Sequence, residues 1–100
     1  MIAFRIALIT PKAAEGSLDF QRILLREQAR APTIVNVYHA TFQSEFAAQE
    51  IPSALNRAIA GKPDLIVVVR GGGSKADLLY LNSYPIGRAI CECPIPVGQE

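Results

Sequence analysis

The sequence predicts an open α/β three-layer sandwich, with a mainly parallel sheet of about four strands and helices on both faces. Three observations predict it. Two nearly uninterrupted apolar runs, Ile2 to Thr10 and Leu65 to Val69, read as strands buried on both faces, as parallel strands are. Stretches with helical spacing alternate with the strands in the order βαβαβα, followed by a short final strand. Connections of a few residues then require right-handed crossovers onto one sheet. The chain has 100 residues, half of them hydrophobic and 19% charged, a balance that suits one domain with one modest core.

The first strand, "IAFRIALIT", stops at Pro11. Leu18 to Ala31 carries Leu18, Phe20, Ile23 and Leu24 on one stripe, with Ser17 or Asp19 as cap and Pro32 beyond its end, so it is the first crossover helix. Thr33 to His39, rich in β-branched residues, is the second strand. Helical spacing returns at Ala47, Ile51, Ala54, Leu55, Ala58 and Ile59, with Gly61 as the C-terminal cap. Pro52 interrupts this helix and predicts either a kink or a first full turn that begins at Pro52. "LIVVV", Leu65 to Val69, is the most strongly β-branched run and therefore the central strand, flanked by the strands that start near Ile2 and Ile95. A helix over Lys75 to Leu81, another from about Ser83-Tyr84-Pro85, and the short extended "PIPV" complete a Rossmann-like or flavodoxin-like pattern.

Composition narrows the function. A net charge of +1 provides no bulk attraction for polyanions, so nucleic acid has to be held by a local cluster of cations. Cys91 and Cys93, one residue apart, suit neither an ordinary disulfide nor a structural zinc site. Reduced thiols are expected, one toward the core and one toward solvent, since helical spacing sets them about 200° apart. No signal peptide and no apolar run of ~20 residues is present, so a cytoplasmic protein without a membrane partner is expected.

The chemistry concentrates in "VVVRGGGSKADLLYLN". Ligands of open parallel sheets bind beyond the carboxyl ends of the strands, and Arg70 to Ser74 follows the central strand there. Gly71, Gly72 and Gly73 let the backbone approach a ligand, consecutive amides converge on an anion, and Arg70 offers a planar pair of donors to phosphate oxygens. A structural role competes with this one. Ser74 and Asp77 have the spacing of a capping box, and structure is favoured over function for both. For Arg70 function is favoured, because a cation that ends an apolar strand is costly to bury without a partner. The loop follows neither the G-x-x-x-x-G-K-[ST] phosphate-loop pattern nor the G-x-G-x-x-G dinucleotide fingerprint. His39, the sole histidine, sits at a strand end and reads as a surface or strand-end imidazole rather than a catalytic one.

The same string, followed by "IGRAICECPIPV", resembles the central domain of the exodeoxyribonuclease VII large subunit, with its R-G-G-G-S-x-x-D-L-x-x-F-N motif, ARAI helix and PIPV strand. "RIALIT" is similar to the family's first strand and "FQSEFAAQEI" to its V-Q-G-x-x-A-x-x-E-I segment. The resemblance implies hydrolysis of single-stranded DNA from its ends, an oligonucleotide-binding domain ahead of this one and a small helical partner subunit. On the matching positions it implies a phosphate and DNA site at Arg70, Gly71, Gly72, Gly73, Ser74, Asp77 and Asn82, with Arg70 and Asp19 as catalytic candidates. Asp19 matches the aspartate at the start of the family's first crossover helix; a gapless alignment puts Arg22 there, and Asp19 is equally a favourable helix N-terminal charge. The family pattern continues after "PIPV" into G-H-E-x-D, whereas this sequence ends at Gly98-Gln99-Glu100. Residues 1–100 are therefore expected to be one α/β domain from a longer large subunit, inactive alone and lacking a group that helps the leaving oxygen. No carboxylate cluster indicates a divalent cation, and no cofactor is identifiable. The alternative functions are a non-catalytic module that binds a nucleotide or sugar phosphate through the same loop, and a purely structural domain.

Overall fold

Apolar sequence and parallel pairing coincide in the centre of the sheet. The structure is a computed structural model that describes residues 3–12, 18–30, 32–42, 45–69 and 84–99. Its strands are β1 (Phe4–Thr10), β2 (Thr33–His39), β3 (Leu65–Val68) and β4 (Val97–Gln99), and its described helices are α1 (Leu18–Arg30), α2 (Ala47–Ala60) and α3 (Tyr84–Glu92). The four strands form one parallel sheet in the order β2-β1-β3-β4. The LIVVV run thus lies between β1 and β4, as its composition predicts. The last strand begins at Val97, two residues later than Ile95, where the extended segment was expected.

Period-two alternation sorts the side chains of the two central strands onto two faces. Ile6 and Leu8 of β1, with Val67 and Val69, pack with Ile23 of α1. Ala7 and Ile9, with Ile66 and Val68, pack with Ile51, Ala54, Leu55 and Ala58 of α2 and Ile86 of α3. Each fully buried Ile or Leu contributes on the order of 1.5–3 kcal/mol relative to exposure. The edge strand β2 instead alternates half-buried Val35 and Val37 with exposed Ile34 and Asn36.

Several boundaries depart from the sequence reading. α2 begins at Ala47, so Pro52 lies inside it, and the option of a helix starting at Pro52 is not realised. Five residues precede the proline, so its missing N–H withholds a bond only from the Ala48 carbonyl. Gly61 does follow the helix, and its N–H reaches Ala58 O, but its φ of −78° is right-handed. The positive φ that a glycine cap would carry falls on Lys62, at 53°. Described α1 runs from Leu18, so Asp19 lies inside the helix rather than at its cap, and Ser17, the other cap candidate, lies outside the described residues. Cys91 is exposed, Cys93 is half-buried against the core, and both are free thiols.

Candidate functional site at the carboxyl edge of the sheet

β1 connects toward β2 on one side of the sheet, and β3 connects toward β4 on the other. Consistent with right-handed crossovers, α1 covers one face, whereas α2 and α3 share the opposite face. The carboxyl ends of β1 and β3 are therefore the topological switch point, where open α/β sheets receive ligands. The two ends are joined by Val69 N–H donating to Ile9 O at 2.8 Å. Beyond Val69 the sequence enters Arg70, Gly71, Gly72, Gly73 and Ser74.

Those five residues, together with Asp77, Asn82 and the helix expected over Lys75 to Leu81, lie outside the described residues. Asp19 is within α1, whose amino end follows the carboxyl end of β1; its side chain is likewise outside the described set. The fold thus brings β1 and β3 together at the edge from which Asp19 and Arg70 are approached in sequence.

Described residues at this edge are bound together by side-chain contacts. Glu50, in the first turn of α2, accepts the Thr41 N–H on Oε1 at 3.0 Å, tying the segment after β2 to the helix. Arg57 Nη2 donates to the His39 carbonyl at 3.2 Å. His39 is the exposed last residue of β2, as expected of a strand-end imidazole, and it stands in register with Thr10 of β1. The Thr10 carbonyl accepts Ala40 N–H at 3.2 Å.

Thr10 itself is 0% exposed, and among the described residues its Oγ1 has no hydrogen-bond partner. An unsatisfied buried hydroxyl costs about 1–3 kcal/mol. In sequence Thr10 is only the last residue of a strand, and its one signal is a polar residue closing a nearly apolar run just before Pro11. Glu50 was also missed as an individual residue, although the segment that contains it was matched; its role as a cap depends on a loop that returns to the helix.

Among the described residues, no group of three or more His, Cys, Asp or Glu side chains is arranged to hold a metal ion, and no helix is long and apolar enough to cross a membrane.

Comparison with known proteins gives this edge its context. The family model for the exonuclease VII large subunit matches residues 1–98. An exodeoxyribonuclease 7 large subunit from Nitrosomonas europaea is 42% identical over 95 residues, covering 93% of this chain and 20% of the relative. One from Thermotoga petrophila is 33% identical over 93 residues, covering 93% of this chain and 23% of the relative. One from Alcanivorax borkumensis is 35% identical over 95 residues, again 93% of this chain and 20% of the relative. The chain spans about a fifth of the length of these relatives. A crystal structure assigned as a LacI transcriptional regulator from Bacteroides fragilis superposes with a TM-score of 0.55 over 96% of this chain and 32% of its own, at 15% identity, a likeness of fold alone.

Proposed function

Because the chain belongs to the exonuclease VII large-subunit family, we propose that it is the phosphate-binding α/β domain of a longer nuclease large subunit that hydrolyses phosphodiester bonds of single-stranded DNA. The observation that supports the proposal is that the central strand β3 ends at the switch point of the sheet, and that in sequence it is followed by Arg70-Gly71-Gly72-Gly73-Ser74.

Hydrolysis forms a bond from a water oxygen to phosphorus and breaks the bond from phosphorus to an ester oxygen, while a proton passes from the water to the leaving oxygen. Charge grows on the phosphoryl oxygens, and donors fixed in advance around them lower the barrier. Arg70 and the loop amides act there, and Asp19, in the first turn of α1, orients the water. Ser74 and Asp77, at the spacing of a capping box, and Asn82 complete the motif. None of these motif residues is a donor for the leaving oxygen, so the 100-residue chain is expected to bind DNA weakly without cutting it. The active assembly includes a small helical subunit, and the free thiols of Cys91 and Cys93 suit a reducing cytoplasm.

Amide-shift titration of the chain with a short oligothymidylate tests the proposal. Shifts should cluster at Arg70 to Ser74 and at the described residues of the carboxyl edge, Ile9, Thr10 and Val69. Arg70→Ala removes charge-assisted hydrogen bonds, and Gly72→Val obstructs the backbone approach with no change of charge; both should weaken binding. Shifts that map to the amino edge instead, or two variants that bind like the parent, would refute the phosphate site.

A further inference from the structure

We propose that the outer edge of β2 is a self-association surface, on which β2 of a second copy of this chain pairs antiparallel about a two-fold axis at Asn36. The surface is separate from the phosphate site and stands without it. β2 lies at the end of the sheet and, among the described strands, is paired with β1 alone. Phe4 N–H donates to Pro32 O and Ala40 N–H donates to Thr10 O, so the even-numbered positions bond toward β1. Val35 and Val37, on the alternate positions, therefore turn their N–H and C=O groups outward. Edge strands are ordinarily guarded by charged side chains, proline, a bulge or short length. β2 has none of these guards: it is seven residues long, "TIVNVYH" carries no Lys, Arg, Asp, Glu or Pro, and its register with β1 is unbroken from Thr33 to His39. The opposite edge, β4, is guarded by its length of three residues.

The occupant is a second copy because the strand is complementary to itself. Antiparallel pairing about Asn36 sets Val35 opposite the other copy's Val37, and Val37 opposite its Val35, each an outward-facing pair that exchanges two backbone hydrogen bonds. On the alternate positions Ile34, 43% exposed, meets Tyr38, an aliphatic and aromatic cross-strand pair of the kind that stabilises sheets. Exposed Asn36 meets its own copy on the axis, where each amide offers both donor and acceptor to the other. Neither strand brings a charged side chain to the seam, and a net charge of +1 sets little repulsion between copies. Pairing with β4 of another copy would be head-to-tail and would engage only three residues. The two-fold axis turns the carboxyl edges of the two copies in opposite directions, so the switch point of each stays open.

Sedimentation equilibrium of the 100-residue chain over a wide range of concentration, with amide hydrogen exchange on the same samples, tests the pairing. The expected result is a dimer that grows no further, with the Val35 and Val37 amides protected in the dimer and exchanging freely on dilution. Asn36→Lys and Asn36→Asp each put like charges face to face on the axis and should weaken the dimer roughly tenfold or more, with the melting temperature of the dilute chain unchanged. An equimolar mixture of the two variants, opposed in charge, should dimerise again in the parent's concentration range. If a charged variant loses its fold, the exchange of Val35 and Val37 in the parent, dilute against concentrated, decides alone. A parent chain that is monomeric throughout overturns the proposal, as do folded variants that dimerise like the parent or fail to recover on mixing. Assemblies that grow past the dimer with the Gly98 amide protected would assign the edge to β4 of the next copy and overturn it as well.

Discussion

The two ends of the sheet treat their polar groups differently. At the amino end the chain closes on itself: Arg5 N–H donates to Asp64 Oδ2 and Asp64 N–H donates to Arg5 O, each at 2.8 Å. Phe4 N–H reaches Pro32 O and Ile66 N–H reaches Pro96 O, each at 2.9 Å. At the carboxyl end the backbone is also tied, through Val69 to Ile9 and Ala40 to Thr10, but the buried Thr10 Oγ1 has no hydrogen-bond partner among the described residues. The amino end is closed by bonds that fix the register of the strands, whereas the carboxyl end carries a buried hydroxyl that is unpaired among the described residues, at a cost to stability.

The largest expected effect falls on neither end but on the layer beneath both. Ile66→Ala, at a wholly buried position in the central strand, should cost about 2–5 kcal/mol in denaturant unfolding. A loss below about 1 kcal/mol would show that β3 is not packed between two helical layers. Arg70→Ala should act at the carboxyl end alone, reducing oligonucleotide affinity by roughly 1.5–3 kcal/mol with an unchanged melting temperature.

Two carboxylates that cap backbone N–H groups at opposite ends offer a matched pair. Asp64→Ala and Glu50→Ala each remove one such acceptor, from Arg5 and Thr41 respectively, and each should lower stability by about 1 kcal/mol. Only Glu50→Ala should also weaken oligonucleotide binding, because it loosens the segment that flanks the carboxyl edge. Equal binding by the two variants would erase the functional contrast between the ends. The smallest effect is expected away from both. Arg88 donates to Glu92 Oε1 at 2.9 Å across one exposed helical turn, and that bond and charge raise the arginine pKa above its ordinary value. Arg88→Ala should leave melting temperature and binding unchanged, measured in parallel with the parent at low and high salt.

The order of elements was legible because it rests on local periodicity. Apolar runs marked β1 and β3, β-branched density marked β3 as central, and the spacing of Ala47, Ile51, Ala54, Leu55 and Ala58 marked the buried stripe of α2. The glycine motif was legible for a different reason: its residue types carry their chemistry wherever the chain places them. What stayed hidden depends on partners distant along the chain. Gly61 is the C-terminal cap that its position predicts, but the positive φ of the turn falls on Lys62, one residue later. Glu50 and Thr41 are nine residues apart and meet only because the segment after β2 doubles back on α2.

By itself, then, the sequence determined an alternating α/β chain with an apolar central strand that runs into Arg70 and three glycines, since periodicity and residue chemistry are properties of short segments. Only the tertiary structure decided the strand order β2-β1-β3-β4, which makes the ends of β1 and β3 neighbours and creates a switch point. It alone decided that Thr10 is buried with no hydrogen-bond partner among the described residues, because whether a hydroxyl is satisfied depends on what every neighbouring strand and helix brings within hydrogen-bonding distance.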